Sequence, residues 1–146
     1  MADADERRIL QRVLDDPDDV EARIAAAYFC DAHKSEVEAV VHYDAAWRLG
    51  VPTSVRRDFM LGYGSTLKNV GRLAESERLL RLAIDENPDD FALAVFLALT
   101  LHAAGRSDDA IARLLDVLIA IDEHGNAGIA HYRRALKFYS DELRRR

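Results

Sequence analysis

Five histidines, one cysteine and pairs of adjacent aspartates such as Asp18-Asp19, Asp89-Asp90 and Asp108-Asp109 are the residues of this chain whose types could do chemistry, the histidines being His33, His42, His102, His124 and His131 and the cysteine Cys30. A zinc site needs imidazoles or thiolates spaced to converge on one ion, as two histidines four residues apart on a helix do. No two histidines here have that spacing, no HExxH occurs, and Cys30 has no second cysteine to form a CxxC or a disulfide. His102 stands without a sequence partner that would orient it, so it reads as a hydrogen-bonding side chain. Cys30 lies among apolar helical positions beside Asp31 and reads as a small buried hydrophobe, because a neighbouring carboxylate disfavours the thiolate. The paired aspartates open helical stretches, where carboxylates accept from free amides and complement the positive end of the helix dipole. Gly62-Tyr63-Gly64-Ser65 looks like a fragment of a phosphate loop but lacks the following Lys-Ser/Thr and the preceding strand. No catalytic, cofactor or metal site is expected, and the chain is not read as an enzyme.

Charge and composition exclude further classes. The formal net charge is -6, which repels a phosphate backbone and argues against nucleic-acid binding. The contrary patch, Arg144, Arg145 and Arg146, reads as a solvated, frayed helix end. No apolar run approaches the ~20 residues that span a bilayer, and the acidic start MADADERRIL lacks the basic region of a signal peptide. The lone thiol suits a reducing cytoplasm. Among the basic residues only Lys34, Lys68 and Lys137 are lysine, a bias that hints at a GC-rich bacterial genome.

Apolar residues recur at helical spacing almost throughout, and no stretch alternates with period two, so the chain reads as all-α. Helices are expected at 4–15, 20–32, 35–49, 54–69, 73–86, 91–104, 107–123 and 127–143. Asp16-Pro17-Asp18-Asp19 and Asn87-Pro88-Asp89-Asp90 supply matching stop-and-start punctuation, and Gly50-Val51-Pro52-Thr53 and His124-Gly125-Asn126 make the other breaks. Trp47 is expected to close the gap at the connection that follows it, with Arg56 and Arg57 solvated beside it. In the last helix, Ile129, Tyr132, Leu136, Tyr139 and Leu143 fall on one side.

The stretches GRLAESERLLRLAI, from Gly71, and GRSDDAIARLLDVL, from Gly105, stand 34 residues apart, the length of one helix-turn-helix repeat unit. Tyr63-Gly64, Leu67, Gly71, Ser76, Leu80 and Ala83 in one unit correspond to Leu97-Ala98, Leu101, Gly105, Ala110, Leu114 and Val117 in the next, whereas Asp122 stands in place of Pro88. Over residues 20–123 the chain resembles the tetratricopeptide repeat family, most of all its short stand-alone bacterial members. Ala26-Ala27, Cys30, Ala39, Tyr43 and Ala46 carry the match into a first unit that is less regular. There Lys34 replaces the turn glycine, and a 37-residue step to Gly71 leaves three extra residues, expected in the loop near residues 51–57.

The resemblance implies an α-solenoid of three antiparallel helix pairs with two capping helices, about eight helices in one domain. Residues 1–17 form the N-terminal cap, 20–52, 53–88 and 89–123 the repeats, and 126–146 the C-terminal cap. It also implies a concave face lined by the first helix of each pair. Carried across residue by residue, the peptide-binding candidates are Ile24, Tyr28, Leu61, Ser65, Lys68, Asn69, Val95, Phe96, Leu99, His102, Ile129 and Arg133, with Asp31 at the edge. Most are apolar, which implies an apolar trough without the Lys/Asn/Arg clamp that holds a peptide carboxylate, suited to a helical or extended apolar peptide. Two alternatives stay open: the apolar side chains fill a core, or a second copy of the chain covers them as a homodimer.

Overall fold

Helix ends are set by the punctuation residues. Asp19 occupies the N-cap of one helix and accepts from the Ala22 amide at 3.0 Å; Asp90 does the same for Ala92 at 3.1 Å. Ser35 caps a third helix through the Glu38 amide at 3.3 Å, while its hydroxyl donates back to the Glu38 carboxylate at 2.9 Å. The computed structural model describes residues 2–122 and 127–146. Among these it contains eight helices and no strand: α1 Ala2–Asp15, α2 Val20–His33, α3 Glu36–Leu49, α4 Thr53–Asn69, α5 Leu73–Glu86, α6 Phe91–Ala103, α7 Ser107–Ile121 and α8 Ala127–Arg144. No expected helix end is off by more than two residues.

The 34-residue period extends to individual hydrogen bonds. At the end of α4, Gly71 has φ 82°, and the Arg72 amide donates to the Leu67 carbonyl at 2.8 Å; at the end of α6, Gly105 has φ 78°, and the Arg106 amide donates to Leu101 at 2.9 Å. Each turn closes the free carbonyls of a helix end with a left-handed residue, a conformation that penalises a Cβ. Lys34 stands at the equivalent place in the first unit without adopting that geometry; its φ is -124°, and Ser35 starts α3 at once.

The three extra residues are not in a loop. Only Gly50, Val51 and Pro52 separate α3 from α4, and α4 is 17 residues long against 14 for α2 and 13 for α6. Three residues are close to one helical turn, so the insertion lengthens α4 while keeping its faces in register.

The helices divide into two compact units, 1–72 and 73–146. In the first, successive helices pack as hairpins around Val13, Ala22, Ala26, Ala27, Tyr43, Phe59 and Met60, all buried. Tyr43 stacks on Tyr63 at 5.3 Å and meets Phe59 edge-on at 5.2 Å, and Trp47 stacks on Phe59 at 6.3 Å. Arg56 is not simply solvated; its guanidinium lies 4.7 Å above the Trp47 ring, a cation–π contact. Arg57 pairs with Asp58.

In the second unit Leu80, Leu97, Ala98, Leu101 and Ala110 form the core, flanked by Ile84 and Phe96. Small residues permit the close approach: the Ser76 and Thr100 hydroxyls, both buried, lie 2.9 Å apart between α5 and α6. The packing stripe of α8 differs from the expected one. Tyr132 and Tyr139 are 61% and 59% exposed, and the residue sunk against α7 is Ser140, fully buried. Its hydroxyl lies 2.8 Å from Asp116 Oδ1 and 3.1 Å from the Ala112 carbonyl, where no aromatic ring would fit. Arg144 closes the same contact by pairing with Asp116, so it belongs to the fold and is not a frayed end; Arg145 pairs with Glu142.

Candidate functional site

Each unit presents its own set of the candidate residues. In the first unit α2 contributes Ile24 and Tyr28, and α4 contributes Leu61, Ser65, Lys68 and Asn69. Tyr28, Ser65 and Asn69 come together around a pocket of about 390 Å³, with Asp31, Glu36 and the inner ends of Tyr43 and Thr66 completing its walls. Ile24 does not belong to this surface: at 8% exposure it is part of the packed interior of α2, because the helix turns that position inward with Ala27. Leu61 is half-buried.

The pocket floor is polar, unlike the apolar trough expected. Asp31 accepts from the Tyr43 hydroxyl at 2.8 Å and from the Thr66 hydroxyl at 2.9 and 3.0 Å to its two oxygens. Tyr43 and Thr66 are 1% and 2% exposed, so two buried donors are satisfied by one carboxylate at the protein surface. Burial, reinforced by the bond to Asp31, pushes the Tyr43 phenol above its ordinary pKa and keeps it a donor. Burial also raises the Tyr28 phenol, with the charge of Asp58 adding to it. On the rim, Lys68 donates to Asn69 Oδ1 at 2.8 Å, and the Asn69 amide donates to Glu36 at 3.3 Å.

Gly62 makes this arrangement possible. It sits inside α4, and a Cβ there would stand 2.7 Å from the Tyr43 hydroxyl oxygen. The Asp31–Tyr43–Thr66 group links residues 12 and 35 positions apart, and helical periodicity alone does not pair them. The available sequence signal was a glycine in mid-helix, which costs helix stability and therefore asks for a packing reason. Within the same helix, Gly62-Tyr63-Gly64-Ser65 forms no loop.

In the second unit, α6 carries Val95, Phe96, Leu99 and His102. Val95 is half-buried and Phe96 packs on the core, whereas Leu99 is 46% exposed. His102 is exposed and its Nδ1 lies 3.0 Å from the Ser107 hydroxyl across the α6–α7 turn. Arg133 is half-buried on α8; the side chain of Ile129 and all of His124 and Asn126 lie outside the described residues.

Cys30 and Asp109, two further chemical candidates, make structural contacts. Cys30 is buried, and burial above all raises its thiol pKa, with Glu38 contributing. Asp109 pairs with Arg106, which also reaches Glu77 at 3.0 Å. Among the described residues, no group of three or more His, Cys, Asp or Glu could hold a metal ion, and no helix is long and apolar enough to cross a membrane.

No curated protein and no solved structure matches the chain. A family model described as a tetratrico peptide repeat matches residues 20–143, which takes in α2 through nearly all of α8. With its turns repeating bond for bond at the family's period, the chain belongs to the tetratricopeptide repeat family.

Proposed function

We propose that the chain is a non-enzymatic interaction module, with a partner peptide engaging the α2–α4 face of the first unit. Repeats of this family mediate protein–protein interaction. The observation that carries the reading is the convergence of Tyr28, Ser65 and Asn69, from two helices, on a single open pocket. Leu61 and Lys68 extend that surface along α4, and Leu99 and His102, with Val95 and Phe96 partly covered, offer a second one on α6. Exposed Tyr28 and Leu99 supply apolar area, and the polar groups fix register. A buried lone thiol and the absence of a spanning helix among the described residues are in keeping with a cytoplasmic setting.

The test is capture from the native lysate by wild type and by Tyr28→Ala/Leu61→Glu, with Leu99→Glu as a separate variant. Loss of the same protein from the variants, with helical content unchanged, is the expected result; undiminished capture by all of them removes the assignment. Exposed Leu99 also favours the second reading, in which two copies cover each other's apolar face. Light scattering that shows a monomer at high micromolar concentration removes that one.

A further inference from the structure

The pocket in the first unit has a charge as well as a shape. Asp31 and Glu36 both line it, and among the described residues neither is paired with a basic side chain. Asp31 receives only the Tyr43 and Thr66 hydroxyls, and Glu36 only the Asn69 amide at 3.3 Å. Lys68, next to Asn69 on α4, is engaged with the opposite end of that amide at 2.8 Å. A carboxylate offers about four lone-pair sites, so the bonds Asp31 makes leave room for a further donor. Its orientation is fixed from beneath by two hydroxyls that are almost wholly buried, a more rigid support than a solvated surface acid has. Beside it the 38%-exposed Tyr28 ring forms a wall, and an aromatic face next to carboxylates favours a cation.

The geometry points to this pocket as the receptor for one basic side chain of the partner, an arginine guanidinium or a lysine ammonium. Asp31 and Glu36 supply the countercharge, Tyr28 the π face, and Ser65 and Asn69 hydrogen bonds at the edge. The pocket's volume is enough for the head and stem of one such side chain and too small for a folded element. The assignment rests on the interaction reading and gives its first unit a chemical preference opposite to that of a carboxylate clamp.

The test is a titration of the full-length ¹⁵N-labelled chain with Nα-acetyl-arginine amide and with its neutral isostere Nα-acetyl-citrulline amide, followed by NMR. The arginine probe is expected to shift amides around Tyr28, Asp31, Ser65 and Asn69, with the citrulline probe weaker by about tenfold. Glu36→Gln and Tyr28→Leu, both at exposed positions, are expected each to weaken the arginine response several-fold; they accompany Asp31→Asn in case that variant loosens the fold. Equal responses to the two probes, shifts elsewhere, or an unchanged response in folded Glu36→Gln and Tyr28→Leu would overturn the assignment. If the arginine probe is refused while Leu61→Glu still abolishes partner capture, the cation pocket falls and the interaction reading stands. If the probe binds as expected while Tyr28→Ala/Leu61→Glu and Leu99→Glu both leave capture untouched, the cation pocket stands and that reading falls.

Discussion

Tyr43 is held at both ends, its ring stacked on Tyr63 and its hydroxyl on Asp31, so it has no freedom to yield to a new neighbour. Gly62→Ala should therefore lower unfolding stability by about 1–3 kcal/mol through overpacking, although alanine is the better helix former by about 1 kcal/mol. In a Tyr43→Phe background the obstructing oxygen is gone, and the same change should cost little or stabilise. Urea melts of the four proteins measure this coupling, and strictly additive losses would exclude the steric account. His42 makes a second residue-level prediction. Burial, then the charge of Arg23, whose guanidinium donates to Nδ1 at 3.3 Å, holds its imidazole below the ordinary pKa of 6.5. The unfolded chain then takes up a proton that the folded chain refuses, so stability falls as pH drops from about 6.5 towards the folded value. His42→Gln should flatten that part of the profile in thermal melts; an unchanged slope would contradict it.

At the level of elements, the clasp between α7 and α8 is made by Ser140, Asp116 and Arg144. Ser140→Ala leaves Asp116 and Arg144 without their shared hydroxyl, at a cost of about 1–2 kcal/mol, read from the thermal transition. Burial pushes the Asp116 carboxyl up, but hydrogen bonds from Arg144 and Ser140 outweigh it and hold the pKa below the usual value. The clasp's contribution is thus fully present above about pH 4 and lost as pH falls through the depressed value, and Asp116→Asn should remove that acid-side dependence. Helix limits were legible in the sequence because Asp19, Ser35 and Asp90 act locally, within three residues of the amides they cap. The facing of α8 was not legible. Tyr132 and Tyr139 belong to the same apolar stripe as Leu136, yet close approach to Ala112 selected the small Ser140 for the contact. The longer α4 was hidden for a different reason: an inserted turn leaves the apolar period intact, so only the change in repeat length betrays it.

For the molecule as a whole, the described contacts join helices adjacent in sequence, apart from a smaller contact of α2 with α4. Such local topology folds without first closing long loops, so refolding from urea should be complete within about milliseconds in stopped-flow fluorescence of Trp47. A dominant phase of seconds would count against it. The 34-residue ruler placed Tyr28, Ser65 and Asn69 on one surface because equivalent positions share a facing. It said nothing of the bonds from Tyr43 and Thr66 to Asp31, which are peculiar to this first unit and give the surface its charge.

Cys30 is the only thiol in the sequence, and it lies 5% exposed within α2. The native chain therefore carries its own stopwatch. A thiol reagent too large to enter the folded hairpin can modify the protein only when α2 parts from its neighbours, and one reacting group means one exponential. Its rate at increasing reagent concentration separates how often that opening occurs from how long it lasts, without a single engineered substitution.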